Sequence, residues 1–278
     1  MRTKRFSKKG MWINILLFLL AVIFLVPFYI CIVTAFKTAA ETAVSTWSLP
    51  KGLDLSNFAE AMEKSNFLQS FGNSIFITVV STLGIVLFSA MMAYSICRNQ
   101  ESRLYRMFGS ALFIGIMIPF QVIMIPVYKM FKNMGLLNTY RGIIILMIGT
   151  SLPYASYLVM GFIKSIPVAL EDAARIDGCN IWQTFWKIVF PLLKPITSTV
   201  GILHVLWMWN EFNMSFIVLQ KEAMRTLPIQ QYHFFGQFTI NLNLGFASAC
   251  LSMIPVIIFF LFAQKLLISG ITNGAVKG

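Results

Sequence analysis

The sequence has few charged residues, few cysteines and few histidines, and each shortage excludes a class of protein. Only 12% of its 278 residues are charged, whereas soluble domains have about a quarter. Its four cysteines include no close pair, so a disulfide framework and a zinc site are not predicted. Two histidines are too few for a metal cluster. No G-x-x-x-x-G-K-[ST] loop, nucleophile elbow or H-E-x-x-H helix occurs, which excludes those routes to hydrolysis.

Hydrophobic residues are what the sequence has instead, at 58% of the chain with a mean hydropathy of +0.76. About 20 apolar residues are needed for a helix to cross the hydrocarbon core, and lipid cannot satisfy open backbone groups. We therefore predict an all-α membrane protein with six transmembrane helices. The predicted spans are 11–36, 71–97, 105–128, 142–163, 196–220 and 246–268.

The distribution of basic residues predicts how the chain is oriented in the membrane. If both termini are cytoplasmic, 14 of the 22 Lys and Arg residues lie in inner segments, as the positive-inside rule requires. The net charge of +12 therefore indicates orientation rather than a nucleic-acid partner. The basic N-terminus precedes an apolar run that is long for a signal peptide, so we expect a retained first helix.

The order of these segments suggests a membrane core with an N-terminal addition. Residues 1–70 hold the N-terminal tail, the first helix and an outer loop, and residues 71–268 form the core. Residues 269–278 are expected to be a cytoplasmic tail. A second large outer loop, at about 221–245, is rich in Gln, Asn and aromatic residues.

A charged amphipathic segment at 165–195 interrupts the long apolar runs. Pro167 suits a helix start, and Glu171 and Asp172 in the first turns favour the helix dipole. Gly178 permits a sharp turn. A second amphipathic helix is expected to place four residues on one face: Trp182, Phe185, Trp186 and Val189. The pattern is that of a helix–turn–helix at the membrane surface, for docking another protein or for resting on lipid headgroups.

The spacing in this segment resembles the EAA loop of ABC importer permeases. The motif begins with Asp172, Ala173 and Ala174. Three residues separate them from Gly178, and nine further residues separate Gly178 from a run that extends from Ile188 to Pro191. Asp172 replaces the usual Glu and Phe190 replaces a Leu. The shorter acid at the first position is expected to weaken a contact to the partner.

Nearly the whole chain is similar to the shorter permease subunit of maltose-type carbohydrate importers. The supporting stretches are 135–139 (GLLNT), 209–212 (WNEF), 226–228 (TLP) and 270–278 (GITNGAVKG). The resemblance implies the type I ABC importer permease fold, with a coupling helix–turn–helix between helices 4 and 5. It also implies a bacterial plasma membrane protein that imports a sugar by alternating access.

The resemblance further implies a division of labour among subunits. A dimer of separate ATP-binding subunits would use ATP and magnesium, so this chain would need no cofactor and would not be an enzyme. Its ATPase-coupling residues would be Glu171, Asp172, Ala173, Ala174, Asp177, Gly178, Ile188 and Pro191. A second homologous permease would complete the pathway. The tail residues Asn273, Gly274 and Lys277 would extend toward the ATPase, and the outer-loop residues Gln230, Gln231 and Tyr232 would contact a solute-binding protein.

Glu211 is the one acid inside a predicted span, and acids at that depth are often functional. Lining a pathway or gate, together with Asn210 and Gln121, is one interpretation, and structural pairing with another helix is the other. His204 fits a buried hydrogen-bonded role. A secondary transporter is an alternative function, although no inverted repeat supports it. An intramembrane enzyme would need paired acids or a Ser–His arrangement, and neither is found.

Overall fold

The computed structural model describes residues 8–236 and 241–275, with side chains described for 11–236 and 241–266. The regular elements of this part of the chain are helical. In chain order they are α1 (Lys8–Ala35), α2 (Ala39–Val44), α3 (Ser56–Lys64), α4 (Phe67–Arg98), α5 (Arg103–Met117), α6 (Phe120–Asn133), α7 (Tyr140–Ile163), α8 (Ala169–Ile176), α9 (Ile181–Thr184), a π-helical turn (Phe185–Val189), α10 (Phe190–Leu192), α11 (Lys194–Trp209), α12 (Asn213–Val218), a 3₁₀ turn (Glu222–Met224), α13 (Leu227–His233) and α14 (Leu242–Ala275).

Four of these helices are long and apolar enough to cross a membrane, namely α1, α4, α7 and α14. Two bent pairs pass the same test when each pair is taken together. They are α5 with α6, bent by 107°, and Ile181–Leu192 with α11, bent by 73°. The described residues therefore contain four to six candidate spans, and the all-helical membrane class is as predicted.

The third predicted span, 105–128, is not one helix. Helix α5 ends at Met117, and α6 begins at Phe120 after a sharp change of direction. Pro119 lacks a backbone N–H and disfavours the α conformation in the residue before it. Ile118 accordingly adopts an extended conformation, with φ −89° and ψ 110°. One proline, placed between two apolar runs, converts the expected continuous span into an elbow.

The fifth predicted span, 196–220, is also interrupted. Helix α11 has 16 residues and ends at Trp209, and the six-residue helix α12 begins only at Asn213. Glu211 lies in the break between them. A helix of this length is shorter than the roughly 20 residues that a complete crossing needs.

The chain divides into two compact units. The larger comprises Leu68–Gln230 together with α14 from Pro255 onward. Its core contains buried branched and sulfur-containing side chains from α4 and α7, among them Ile77, Ile85, Ile143 and Met147. Small residues in the same helices, such as Ala90, Ala93 and Ala155, are fully buried, which lets helix backbones approach closely.

The smaller unit contains the described chain up to Phe67 together with Gln231–Ile254. Asn243 explains why the later segment belongs here. Its side-chain amide donates to the backbone oxygens of Thr34 (2.9 Å) and Lys37 (2.7 Å), and to the Thr42 hydroxyl (2.9 Å). Carbonyls at the end of a helix lack intrahelical partners, and this buried amide, together with that of Asn57, supplies donors to those at the end of α1.

A carboxylate closes the loop that follows α1. Glu41 accepts hydrogen bonds from the backbone N–H of Thr38 and of Lys51, each at 3.0 Å. The Thr38 hydroxyl also accepts from the Glu41 N–H, which completes a capping box at the start of α2. The Thr38 N–H first, and then the Lys51 N–H, lower the pKa of Glu41 below its usual 4.5.

Candidate functional site

The segment 165–195 forms helices on both sides of Gly178. Helix α8 precedes the glycine, and α9 begins after Asn180, whose side chain accepts from the Gln183 N–H at 2.9 Å. The Asn180 N–H in turn donates to the Gln183 side-chain oxygen, also at 2.9 Å. This reciprocal capping box starts the second helix immediately after the turn.

Gly178 is required by the backbone rather than by crowding. Its φ is +84°, in the region that residues with a Cβ disfavour. A Cβ added there would have no heavy atom within 4 Å. The turn therefore presents open space, and any substitution is strained by the conformation alone.

The second half of the segment does not have the single face that the sequence predicted. Phe185 and Val189 are buried, whereas Trp182 and Trp186 are exposed. The reason is the π-helical turn, in which the Phe190 N–H bonds to the Phe185 oxygen and the side-chain spacing of an α-helix is lost. The Phe185 ring then packs against Tyr94 of α4 at a centroid distance of 5.4 Å.

Glu171 is the buried anchor of α8. Its side chain is 1% exposed, and its carboxylate pairs with Arg98 Nε at 2.7 Å. The Tyr94 hydroxyl donates to the other carboxylate oxygen at 2.9 Å. Arg98 Nη2 donates in addition to the Ile166 backbone oxygen at 3.1 Å. Tyr94 and Arg98, in the last two turns of α4, thus hold the first turn of α8 through Glu171, and Arg98 also holds Ile166, three residues before α8.

The opposite face of α8 is exposed and apolar. Leu170, Ala173 and Ile176 recur every three residues and so share one face, and Ile176 is 87% exposed. Asp172 and Asp177 are exposed as well, whereas Ala174 is buried with Glu171. Of the two alanines in the motif, only Ala173 is therefore accessible to a partner.

The end of the segment redirects the chain into α11. Pro191 is exposed in the first turn of α10, and Ile188 is partly buried. Val189 and Leu193 are fully buried and fix this stretch to the core. The motif residues Ile188 and Pro191 lie next to the 73° bend that precedes α11.

Glu211 caps helix α12. Its two carboxylate oxygens accept from the Met214 N–H at 2.7 Å and the Ser215 N–H at 2.9 Å, and the Ser215 hydroxyl donates at 3.0 Å. Negative charge at a helix N-terminus is favourable. The structural role considered for this acid is thus present, although through a cap rather than through pairing with another helix.

Glu211 also lies on the wall of a cavity of about 770 Å³ between the α5–α6 elbow, α7 and the end of α11. Asn210 and Gln121 are exposed and do not line this cavity. The Asn210 amide instead donates back to the Leu206 oxygen at 2.8 Å. The structure therefore brings one of the three candidate pathway residues to a cavity and leaves two outside.

The three outer-loop candidates differ in accessibility. Gln230 is 4% exposed, and the Gln231 amide donates to the Ser252 hydroxyl at 2.6 Å. Tyr232 is 51% exposed. Because Gln230 is at a buried helix position, only Tyr232 of the three presents a large accessible surface for a partner.

Asn73, near the start of α4, holds the loop that precedes α13. Its amide donates to the backbone oxygens of Ala223 and Arg225, each at 3.0 Å. The Tyr140 hydroxyl donates to the Asn73 side-chain oxygen at 2.7 Å. An asparagine at the start of an apolar span was the available signal.

The C-terminal candidates lie near the limit of the described residues. The backbone of α14 is helical through Asn273 and Gly274 to Ala275, so the helix continues past residue 268, where the sequence predicted the end of the span. Lys277 lies outside the described residues.

Most of the chain matches one protein family. The family described as "Binding-protein-dependent transport system inner membrane component" matches residues 85–273. That range includes the whole of 165–195 and all the residues that line the cavity.

Similar proteins extend over nearly the whole length. The chain is 38% identical over 261 residues to the probable starch degradation products transport system permease protein AmyC of Thermoanaerobacterium thermosulfurigenes, covering 93% of both chains. It is 37% identical over 280 residues to the melibiose/raffinose/stachyose import permease protein MelC of Bacillus subtilis, covering 100% of both. The fold is similar to a bacterial ABC transporter involved in the import of the acidic polysaccharide alginate, with a TM-score of 0.81 and 23% identity over 95% of this chain and 98% of that chain.

Proposed function

Because this chain belongs to the family of binding-protein-dependent transport system inner membrane components, we propose that it is the permease subunit of an ATP-driven oligosaccharide importer. The names of the relatives support a carbohydrate substrate, since they describe transport of starch degradation products and of melibiose, raffinose and stachyose. ATP hydrolysis belongs to a separate subunit in this proposal.

The observation that carries the coupling part of the proposal is the two-sided character of α8. Its inner side is fixed to α4 by a buried ion pair, and its outer side presents Leu170, Ala173 and Ile176. An exposed apolar stripe flanked by Asp172 and Asp177 fits a cleft on another protein better than it fits water. Helix α8 is therefore the surface on which the ATP-binding subunit docks.

Force from that subunit then reaches the membrane helices through Glu171. When the ATPase dimer closes, it displaces α8, and α8 is joined to the end of α4 through Arg98 and Tyr94. Packed elements move as rigid bodies because close-packed cores do not deform continuously. The ion pair thus transmits the displacement to a helix of 32 residues, and the pathway opens alternately to the two sides.

The remaining partners follow from the same family membership. A second permease completes the pathway, and an extracytoplasmic binding protein delivers the sugar to the outer loops, where Tyr232 is accessible. Residues 165–195 and both termini are cytoplasmic in this arrangement, as the basic residues indicate. The chain is then a multi-pass protein of the bacterial plasma membrane.

Transport in proteoliposomes tests this function directly. The assembled transporter should take up an uncharged oligosaccharide only when ATP is supplied to the ATPase side and the binding protein to the other. A protonophore should leave the rate unchanged. Uptake that needs an ion gradient and ignores ATP would instead identify a secondary transporter.

Cross-linking tests the docking surface separately. Ile176→Cys, introduced after the four native cysteines are replaced by serine, should cross-link to the ATP-binding subunit and resist a membrane-impermeant maleimide added outside the cell. Tyr232→Cys in the same background is the matched control and should react with the external reagent. Labelling of Ile176→Cys from outside would contradict the proposed orientation.

A further inference from the structure

The cavity beside the α5–α6 elbow has the size and composition of a small-molecule site. Its volume of about 770 Å³ lies within the range of about 300–1,000 Å³ that ligand pockets occupy. The bend at Pro119 creates it, because the elbow turns α6 away from the line of α5. Its wall is mostly apolar with a few polar groups, which is typical of sites that bind a ligand with apolar faces and polar edges.

Two aromatic rings occupy one wall of this cavity. Tyr154 of α7 and Trp207 of α11 both line it, and their ring centroids are 5.2 Å apart with an interplanar angle of 44°. The ring of Trp207 also contacts that of the buried residue His204 in an edge-to-face arrangement, with a centroid distance of 5.2 Å. Rigid aromatic surfaces provide large contact areas for the C–H faces of a ligand at little cost in conformational entropy.

Polar groups with unused hydrogen-bonding capacity lie on the same wall. The Glu211 carboxylate is already satisfied within the protein, because it accepts from the N–H groups of Asn213, Met214 and Ser215 and from the Ser215 hydroxyl, and a carboxylate has about four lone-pair sites. Among the described residues, no hydrogen-bond partner is found for the Tyr154 hydroxyl or the Trp207 indole N–H. Two donors are thus available on the two aromatic residues themselves.

The charges around the cavity restrict the ligand further. Within the described part of the chain, no Lys, Arg or His lines it, and Glu211 is its one acid. Burying an anionic ligand without a cationic partner carries a large energetic cost. A ligand with apolar faces, several hydroxyls and no charge fits this surface.

Building on the proposed function, we propose that this cavity binds one uncharged pyranose ring of the oligosaccharide during transport. Tyr154 and Trp207 contact the face of the ring and donate hydrogen bonds to its oxygens, and the negative charge of Glu211 disfavours an anionic ligand. The site therefore selects neutral sugars over those that carry a carboxylate.

The experiment compares sugar uptake with ATP hydrolysis in the complete reconstituted transporter with its binding protein. The variants are Tyr154→Ala with Trp207→Ala, and Tyr154→Leu, which keeps apolar volume but removes the ring. Tyr157→Ala is the matched control, because Tyr157 lies three residues along the same helix, is exposed and does not line the cavity. The probes are maltotriose and raffinose, with trigalacturonate as the acidic sugar.

We expect uptake by the double variant to fall at least about tenfold, which is equivalent to a loss of about 1.4 kcal/mol of binding free energy. ATPase stimulation by the loaded binding protein should stay within about twofold of wild type, so sugar transported per ATP should fall. Tyr154→Leu should show a smaller fall of the same kind, and Tyr157→Ala should match wild type. A purely structural defect would lower uptake and ATPase activity together.

Three outcomes would overturn the proposal. Uptake by the double variant at the wild-type rate would show that the cavity does not bind the sugar during transport. A proportional loss of uptake and ATPase activity in both cavity variants would show the same. Uptake of trigalacturonate by the wild type at a rate comparable to the neutral sugars would remove the charge selectivity. Failure of the wild type to take up any probe with ATP would contradict the proposed function itself, and it is distinguishable because the other outcomes leave wild-type uptake intact.

Discussion

Replacing Arg98 by methionine should damage this protein more than the loss of any exposed ion pair. The substitution leaves the Glu171 carboxylate, 1% exposed, with only the Tyr94 hydroxyl as a partner. Breaking a buried pair by removing one partner costs about 3–5 kcal/mol, since an uncompensated charge remains buried. At about 2–4 °C per kcal/mol for a chain of this size, the midpoint of thermal unfolding should fall by roughly 6–20 °C.

The neighbouring substitutions should follow a defined order. Tyr94→Phe removes one hydrogen bond to a charged group and should cost about 1.5–3 kcal/mol. Combining Arg98→Met with Glu171→Leu removes both charges, so the double variant should be more stable than Arg98→Met alone. That partial recovery distinguishes an unpaired buried charge from a simple loss of packing.

The assay is thermal unfolding of the purified transporter, followed by uptake and ATPase measurements below the transition. The matched control is Arg175→Met in α8, the helix that carries Glu171, because Arg175 pairs with Asp172 at 3.5 Å with both side chains more than half exposed. Exposed pairs contribute about 0–1 kcal/mol, so the midpoint should shift by no more than a few degrees. In the Arg98 variant, uptake should decrease more than ATP hydrolysis, since α8 is no longer held to α4.

Two results would refute this reasoning. A midpoint for Arg98→Met within the range of the Arg175→Met control would show that the buried pair contributes little. A double variant as unstable as the sum of its two single variants would show that the charges do not interact energetically.

Three further outcomes are expected. Gly178→Val should cost about 1–2 kcal/mol in backbone strain and release the ATP-binding subunit during purification. Gly135→Val, with a comparable φ of +66° and equally open surroundings, should retain that subunit. Asn243→Ala, which removes a buried donor to the Thr34 and Lys37 oxygens but leaves each of them one other donor, should destabilise the chain by about 1 kcal/mol or more and raise protease cleavage of the loop after α1. Because the folded pKa of Glu41 is lowered, its contribution is complete above about pH 4.5 and is lost as pH falls through the folded pKa; protease protection of the loop should decline there, and Glu41→Gln should abolish that pH dependence.

Features carried by local sequence were predictable. The runs behind α4 and α7 are long, apolar and free of charge in their interiors, and lipid admits only helices for such runs. The two helices around Gly178 were also predictable, because a glycine between two amphipathic stretches indicates a turn whatever surrounds it. The family resemblance of 165–195 rests on the same local spacing.

Contacts between distant segments were not predictable in the same way. Arg98 is 73 positions from Glu171, and a basic residue at the inner end of a span is already explained by the positive-inside rule. Nothing in the sequence distinguishes a buried partner from an orienting charge. The choice of Asp172 as the first motif acid likewise did not reveal that the preceding Glu171 is the anchored one.

The cavity shows the same limit from another direction. A proline such as Pro119 is compatible with bends of very different size, so the sequence does not specify the observed 107° between α5 and α6. Glu211, Tyr154 and Trp207 come from two separate parts of the chain, and only the elbow and the end of α11 bring them to one wall.

Composition and short-range pattern alone determined that the protein is helical, lies in a membrane and carries a surface turn at Gly178, because solvation and backbone conformation act residue by residue. The tertiary structure decided which acid is buried, where two predicted spans break and which rings face a common cavity. Those outcomes depend on helices packing across long sequence separations, where a single side chain gains or loses its partner according to the direction its helix takes.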